Sequence, residues 1–423
     1  MPQPMLTVEQ ALERVLSAFQ PLEPERVPIL NALDRVLAED ITAGEDIPPH
    51  ANSSMDGYAV LAADTSGASG DHPARLRIVG EIAAGHIAEA TATPGTAVRI
   101  MTGAPLPPGA DAVVKVEDTE SIGEWVNVHA EVPPGNYVRP AGEDVRQGDL
   151  VLPKGTLLRP QEIGMLATLG HREVSVHRRP RVAILATGDE VVEIDASLSP
   201  GKIRNANSYS NAAQVLKHGG VPLLLGIARD SVEDLTGKIR AGLEQGVDLF
   251  LTSGGVSVGE FDLVKDVLAA EGQIGFWRVR MKPGKPLAFG HLNLPPLLSP
   301  PNGGGGRGGT RVPLLGLPGN PVSVMVSFEV FVRPAIWRML GRTDLARPTL
   351  RARLMDEIKH KDDRRHYVRV RVEDRGGETF AHLTGGQGSG ILSSMVKANA
   401  LAIIPEEWDH APAGARVQVM MLD

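Results

Sequence analysis

The chain contains no cysteine. Disulfides, thiolate zinc sites and a cysteine nucleophile are therefore excluded, and the absence suits a cytosolic protein. Aromatic side chains make up only 4% of its 423 residues, which disfavours a stacking platform for single-stranded nucleic acid. Positive charge is not in excess either. The formal net charge of −8 argues against a general nucleic-acid or acidic-membrane surface. No apolar run approaches the ~20 residues of a membrane span, and Glu9 and Glu13 stand where a targeting segment would be basic and then apolar. Also missing are GxxxxGK(S/T) and GxGxxG, so neither a P-loop NTPase nor an NAD enzyme is indicated. The expectation is a soluble, intracellular protein of several domains, with no nucleic-acid and no membrane partner.

Glycine and proline, by contrast, are plentiful, at 47 and 33 residues, and the most informative stretch is glycine-rich: DLFLTSGGVSVGEFD, from Asp248 to Asp262. Leu249-Phe250-Leu251 is too short for a helix and reads as a buried strand. In the turn that follows, Gly254, Gly255 and Gly259 remove bulk and Thr252, Ser253 and Ser257 supply hydroxyls, so backbone N–H groups can close on an anion. Glu260 and Asp262 would repel a bare phosphate, and a divalent cation such as Mg²⁺ between carboxylate and phosphate makes sense of them. Downstream, Met281-Lys282-Pro283-Gly284-Lys285-Pro286 holds two lysines in a loop between prolines. Taken singly, each stretch also reads as a tight turn or a solvated basic face.

In chain order, Thr7 to Gln10 has the spacing of a capping box, and Leu12, Val15, Leu16 and Phe19 share one face of the helix behind it. A second helix is expected around Asn31 to Ala38. From Asp46 to about Pro140 short strands separated by Gly and Pro predict a mainly β domain. Within it, Asp56 precedes a glycine at a strand entrance and Thr102 precedes one at a strand exit, and on local pattern both are turn residues. Residues 141–178 read as turns, strands and one helix from about Pro160 to Leu169 capped by Gly170, and are assigned with 1–45 to a mixed N-terminal domain. His171, His177 and Arg178 match no metal-ligand spacing and are read as surface residues.

From about Arg179 the rhythm becomes strand, loop, helix, which argues for a parallel sheet with helices on both faces. Asp230 and Glu233 give a capping signature for the helix leading to Leu243. In such sheets ligands bind beyond the carboxyl ends of the strands. Glu190, Asp230, Asp262, Lys282, Lys285 and Asn320 all stand at such ends and should converge on one crevice suited to a metal-bridged phosphate or pyrophosphate. Leu292 to Arg311 is a Pro-then-Gly-rich insertion expected to be flexible and without catalytic role. Beyond Leu345 the segments read as a small β-barrel, whose candidate anion-binding elements are Arg364, Arg369 and the loop from Gly385 to Ser394.

The motifs NSSMDGYAV, RIMTGAPLP, RPAGEDV, ATGDE, IARDS, TSGGVSVGEFD, MKPGKPLAFG, GLPGNPVS and QGSGILSSM occur in this order. Together they resemble the molybdenum-insertion enzymes of molybdenum cofactor synthesis, a family that includes the C-terminal domain of gephyrin. The resemblance covers nearly the whole chain. It implies an α/β plus β protein of four domains: a discontinuous mixed N-terminal domain (1–45 and 141–178), a mainly β inserted domain (46–140), a doubly wound α/β domain (179–344) and a C-terminal β-barrel (345–423). It further implies an elongated, cytoplasmic homodimer with a molybdopterin adenylyltransferase as protein partner. The implied reaction is Mg²⁺-dependent insertion of molybdate into the dithiolene of adenylylated molybdopterin, with release of AMP.

Carried over position by position, the resemblance assigns Glu190, Asp230 and Asp262 to Mg²⁺ and the pyrophosphate. Gly254, Gly255, Ser257 and Asn320 would cradle the substrate, and Lys282 and Lys285 would hold molybdate or the pterin phosphate with Arg369 and Ser394. Asp56 and Thr102 would be active-site residues supplied by the partner subunit. Arg364 and Arg365 both match the family's remaining arginine. Asn205 stands where many relatives carry aspartate. A non-catalytic molybdopterin-binding scaffold, or an adenylyltransferase built on the same α/β domain, would be the other outcomes compatible with these motifs.

Overall fold

A computed structural model of the chain describes residues 5–83, 85–87, 89–254, 263–294, 311–359 and 362–422. Two compact units are present. One comprises Met1–Ala38, Leu157–Arg159 and Glu173–Asp423, the other Glu39–Thr156 and Pro160–Arg172.

The second unit is built on a six-stranded sheet whose order is Ala112–Lys115, Gly57–Val60, Thr96–Ile100, Ala74–Ile82, Trp125–Val128, Thr119–Ile122. Tyr58, Val60, Leu76, Ala97, Val114, Val126 and Val128 fill one face, and Ala59, Ile82, Val98, Ile100 and Val113 the other. Alternation along Gly57–Val60, Thr96–Ile100 and Ala112–Lys115 thus buries both faces, in keeping with their Val- and Ala-rich sequences, whereas the edge strand Thr119–Ile122 is mostly exposed. The helix Pro160–Thr168 also belongs to this unit, and Gly170 ends it with φ +79°.

The first unit opens with a helix, Val8–Leu16, on which the expected capping box is complete: Thr7 Oγ1 accepts from Gln10 N, and Gln10 Oε1 accepts from Thr7 N. The helix expected around Asn31 to Ala38 does not form. A short 3₁₀ turn, Ile29–Ala32, is followed by Asp34 at φ 61°, and Val36 and Leu37 then make β-bridges to Leu157 and Val176. A left-handed residue breaks an α-helix, and the strand partners satisfy the backbone groups that a helix would have used.

The α/β domain of this unit runs β1 (Arg181–Thr187), α1 (Ala206–Lys217), β2 (Val221–Ala228), α2 (Val232–Glu244), β3 (Leu249–Ser253), α3 (Leu263–Glu271), β4 (Gly272–Arg278), β5 (Pro286–Asn293), β6 (Arg311–Leu317) and α4 (Pro321–Ser327). The sheet order is β2-β1-β3-β6-β5-β4. The first four strands are parallel, as expected, but β5 is antiparallel to both of its neighbours. An all-parallel sheet needs a crossover at every step, and the direct β4-to-β5 and β5-to-β6 connections make hairpin-type pairing instead. Because two reversals cancel, β4 ends at the same edge as β1, β2, β3 and β6.

Helices cover both faces. Val215, Val322, Val324 and Val326 pack against Val182, Ile184, Leu249 and Leu251 on one side; Leu235, Ile239, Val267 and Leu268 pack against Ala183, Leu185 and Phe250 on the other. The insertion joins two hairpin neighbours. Asn293 and Arg311 are register partners at its base, and 295–310 lie outside the described residues.

The remaining strands, β7 (Thr349–Leu354), β8 (Arg365–Arg375), β9 (Glu378–Leu383), β10 (Ala400–Ile404) and β11 (Arg416–Met421), close into a barrel through the β8–β10 pairing. Alternate residues such as Ala352, Leu354, Val368, Val370, Ala402, Val417 and Val419 point inward. Met281–Lys282, between β4 and β5, adds itself in parallel to the edge of this barrel sheet, with Lys282 opposite His366.

Two residues read as surface are not. His177 is buried, with Nδ1 2.6 Å from the Leu22 carbonyl, and Arg178 clamps both oxygens of Asp248 at 2.6 and 2.7 Å while also reaching Glu23. The clamp fixes the entrance to β3, and no spacing rule could have shown that a partner lay 70 residues away.

Candidate active site

The carboxyl edge of the α/β sheet gathers the predicted loops in strand order. Register pairs align Ala228 with Thr187, Ala186 with Ser253, and Ser253 with Leu317. Gly254 leaves β3 at φ +94°, and a Cβ there would lie 2.8 Å from Thr187 Oγ1 and 3.0 Å from the Thr187 carbonyl. Only glycine fits such a turn. Its N–H donates to the Leu317 carbonyl at 3.1 Å, and Asn207 on α1 donates to the Gly319 carbonyl at 2.7 Å, so the Pro318-Gly319-Asn320 loop is tied to both neighbours. Asn320 is the N-cap residue of α4, exposed, and makes no side-chain cap bond.

Glu190 and Asp230 are exposed at this edge, in the loops after β1 and β2. The Glu190 carboxylate folds back over Gly188, where an added Cβ would lie 2.5 Å from Oε2. Asp230 N–H donates to Asp189 Oδ1 at 3.2 Å, linking the two acidic loops through a residue that sequence reasoning did not single out. The helix cap expected at Asp230 sits one residue later: Ser231 accepts from Asp234 N. That correction leaves the Asp230 carboxylate out of the cap. Gly255, Ser257 and Asp262 lie outside the described residues, and among the described residues no three acidic or histidine side chains converge closely enough to hold a metal.

At the far side of the edge stand the lysines, both exposed. Gly284 between them has φ +105° and approaches α4 so closely that a Cβ would lie 2.6 Å from Ser327 Oγ. Lys282 Nζ is 3.5 Å from Asp362 Oδ2. Asp362 in turn accepts from Arg364 Nε and Nη2 at 3.0 and 2.8 Å and from His366 Nε2 at 3.0 Å. The Arg364 guanidinium, joined by His366, holds the Asp362 carboxyl far below the usual carboxylate range despite partial burial. Arg365 is committed elsewhere, to Glu406 at 3.0 and 3.2 Å and to Glu9. Of the two arginines, Arg364 is therefore the one whose side chain is linked, through Asp362, to Lys282.

Arg369 and Ser394 come together, but not at the surface. Arg369 is 1% exposed; its Nε donates to Ser394 Oγ at 3.0 Å and its Nη2 to the Gly386 and Gly388 carbonyls at 3.2 and 2.9 Å. Its own backbone is gripped by Gln387. The pair braces the loop from Gly385 to Ser394, and Ser389 of that loop accepts from Val322 N in the first turn of α4.

In the other unit, Asp56 and Thr102 meet. The strand Gly57–Val60 lies beside Thr96–Ile100, with Gly57 opposite Ile100, which brings the residues flanking those strands together. Thr102 donates to Asp56 Oδ1 from both its backbone N and its hydroxyl at 2.7 Å. These two bonds lower the Asp56 pKa.

Three family descriptions match successive parts of the chain: the MoeA N-terminal region (domain I and II) at residues 6–170, a probable molybdopterin binding domain at 183–338 and the MoeA C-terminal region (domain IV) at 351–422. The chain is 34% identical over 422 residues to the molybdopterin molybdenumtransferase of Bacillus subtilis, covering 99% of this chain and 94% of that one. The chain belongs to the molybdopterin molybdenumtransferase family. It is 36% identical over 421 residues to molybdopterin molybdenumtransferase 2 of Mycobacterium tuberculosis, covering 98% and 99% of the two chains. A crystal structure of the molybdopterin biosynthesis MoeA protein from Pyrococcus horikoshii superposes with a TM-score of 0.82 at 30% identity, covering 99% of this chain and all of that one. The four-domain architecture with a C-terminal barrel is thus that of the family. Among the described residues no helix is long and apolar enough to cross a membrane.

Proposed function

We propose that the chain inserts molybdate into the dithiolene of adenylylated molybdopterin, with release of AMP, in the cytoplasm. The observation that carries the proposal is the order of groups along the carboxyl edge of the sheet. The acids follow β2 and β1, the glycine turn follows β3, Asn320 follows β6, and the lysines lie between β4 and β5. With strands spaced about 4.8 Å apart, six strands span roughly 24 Å. A substrate with a pyrophosphate towards one end and a pterin towards the other suits that division of charge. Membership of the family over the full length supports the same reading.

Glu190 and Asp230, with Asp262, would hold Mg²⁺: carboxylate oxygens are its preferred donors, and the two described ones are exposed at adjacent strand ends. When bound, the ion would neutralise the pyrophosphate and the charge that develops as the phosphoanhydride breaks. The chain's own residues do the rest by position. The Gly254 turn admits close approach of the nucleotide phosphates, Asn320 orients the substrate from the head of α4, and Lys282 and Lys285 attract the incoming oxyanion. Arg369 and Ser394 act by fixing the loop that faces α4. No protein nucleophile is needed, in keeping with the absence of cysteine. Asp56 and Thr102 would complete the site from the partner subunit of a homodimer, and a molybdopterin adenylyltransferase would deliver the substrate.

The test is AMP release from adenylylated molybdopterin by the purified protein with Mg²⁺, with and without molybdate, beside Glu190→Ala. Molybdate-dependent release that disappears in the variant supports the proposal. Tight substrate binding with no AMP under either condition would instead favour a scaffold.

A further inference from the structure

The carboxylate of Asp362 occupies the lysine loop in a way that the proposed reaction does not require. Three cationic or protonatable groups surround it, from two parts of the unit: Lys282 from the connection between β4 and β5, Arg364 from just before β8 and His366 from its beginning. The bonds are unequal. Arg364 grips both oxygens at 3.0 and 2.8 Å, and His366, itself 8% exposed, approaches Oδ1 at 3.0 Å. The Lys282 contact is the longest at 3.5 Å, and that side chain is 48% exposed. Asp362 is therefore fixed from the barrel side and lends one oxygen to a lysine that faces solvent. Lys285, three residues on, has no ion pair among the described residues.

A carboxylate in this position does two things. It holds the Lys282 ammonium beside the edge of the barrel sheet, and it gives that lysine an anionic partner of the kind that an oxyanion would be. An ion pair this exposed is worth about fivefold or less in affinity, so a ligand carrying more charge than one carboxylate can take the lysine over. The Arg364 and His366 bonds need not break when it does, because they belong to the carboxylate and not to the lysine.

We propose that Asp362 is a placeholder for the anion: it positions Lys282 in the empty enzyme and yields it to a tetrahedral oxyanion or a terminal phosphate. The proposal rests on Lys282 being part of the substrate site, and the experiment separates the two ideas. Molybdate and inorganic phosphate are titrated calorimetrically into the full-length wild type, Asp362→Asn, Asp362→Ser, Asp362→Glu and Lys282→Ala, and KM for molybdate and kcat are measured in AMP release.

In Asp362→Asn the Kd and KM for the anion that uses Lys282 fall by about 1.4- to fivefold, the range of an exposed pair, while kcat does not rise. Asp362→Glu, which keeps the charge, returns them towards the wild-type values. Asp362→Ser, which removes charge and reach together, must move them in the same direction as Asp362→Asn, so a folding defect peculiar to one variant does not decide the matter. The response of molybdate but not phosphate, or the reverse, identifies which anion the placeholder stands for. A rise or no change in Kd and KM in both neutral variants, with Lys282→Ala still weakening the anion, overturns the placeholder and leaves the lysine site standing. Unchanged binding of both anions in Lys282→Ala overturns the lysine site itself.

Discussion

Thr102 holds one oxygen of Asp56 with two donors, its backbone N–H and its hydroxyl, each at 2.7 Å. The residues are 46 positions apart in sequence and share no motif. What joins them is the pairing of the strands they flank. The bonds keep Asp56 ionised to lower pH than a free aspartate. In Thr102→Val the hydroxyl bond is lost and the backbone bond remains, so the Asp56 pKa should rise part of the way to its ordinary value. The acid limb of the pH–activity profile then moves to higher pH, and NMR titration of the Asp56 carboxyl reads the same shift directly. An unmoved limb beside a shifted pKa would mean that the Asp56 charge is not used in the reaction.

Glu190→Gln and Asp230→Asn should abolish AMP release at millimolar Mg²⁺ while leaving the thermal unfolding midpoint nearly unchanged. Both side chains are exposed, and substitutions at such positions usually alter stability by no more than about 0.5 kcal/mol. Parallel activity and calorimetric scans make the comparison. A large loss of stability would place the two acids in the framework of the loops and not in the reaction.

Gly254→Ala should destabilise the chain by about 1–3 kcal/mol, the usual cost of a side chain forced into a disallowed backbone region. The conformation at φ +94° and the contact with Thr187 act together. Urea unfolding gives the magnitude, and an increase in KM for the adenylylated substrate should accompany it. Gly376→Ala, at φ +62° with open space around it, is the comparison that separates backbone conformation from steric contact.

Arg369→Ala should cost roughly 2–3 kcal/mol, because it leaves the carbonyls of Gly386 and Gly388 and the Ser394 hydroxyl without their donor. Arg369→Lys should recover only part of that, since an ammonium cannot reproduce a planar fork that serves three acceptors. Hydrogen exchange in the loop from Gly385 to Ser394 should quicken in both variants. Exchange that stays at the wild-type rate would show that the loop is held by other contacts.

Glu329 lies in a π-helical turn, Phe328–Val332, and is 4% exposed among His218, Arg333 and Arg347. Burial alone would raise its pKa, but the hydrogen bond to His218 and the charges of Arg347 and Arg333 bring it down to about 2. Arg333 moves the opposite way in energetic terms, its charged form disfavoured by burial, with a pKa of about 10. It nevertheless stays protonated throughout the acid range, so Glu329 governs there. A depressed carboxylate contributes stability in full above its unfolded pKa, near 4.5, and that contribution is lost as pH falls from 4.5 towards 2. The loss should amount to about 3 kcal/mol. In Glu329→Gln the dependence on pH between those limits should flatten, and the protein should be less stable at pH 7 by roughly 3–5 kcal/mol because two buried guanidinium groups lose their anion.

Local chemistry made much of this legible. The Thr7–Gln10 box and the Gly170 stop both follow from short-range rules that the tertiary fold did not override. The expected helix at Asn31–Ala38 failed because Asp34 takes a left-handed conformation and the chain finds strand partners in Leu157 and Val176. Arg369 looked like an anion donor by residue type, but the fold turned its fork onto the carbonyls of its own loop.

By itself the sequence determined which residue types stand at strand ends and where backbone freedom is needed, since these depend on neighbours a few positions away. It thereby placed Glu190, Asp230, the glycine turn and the lysine loop at strand ends. Only the tertiary structure decided which residues meet: Asp56 with Thr102, Lys282 with Asp362, Arg178 with Asp248. Such pairings depend on strand register and loop closure over tens of residues. No local preference encodes them, because the free energy that selects them is released only when the distant surfaces pack.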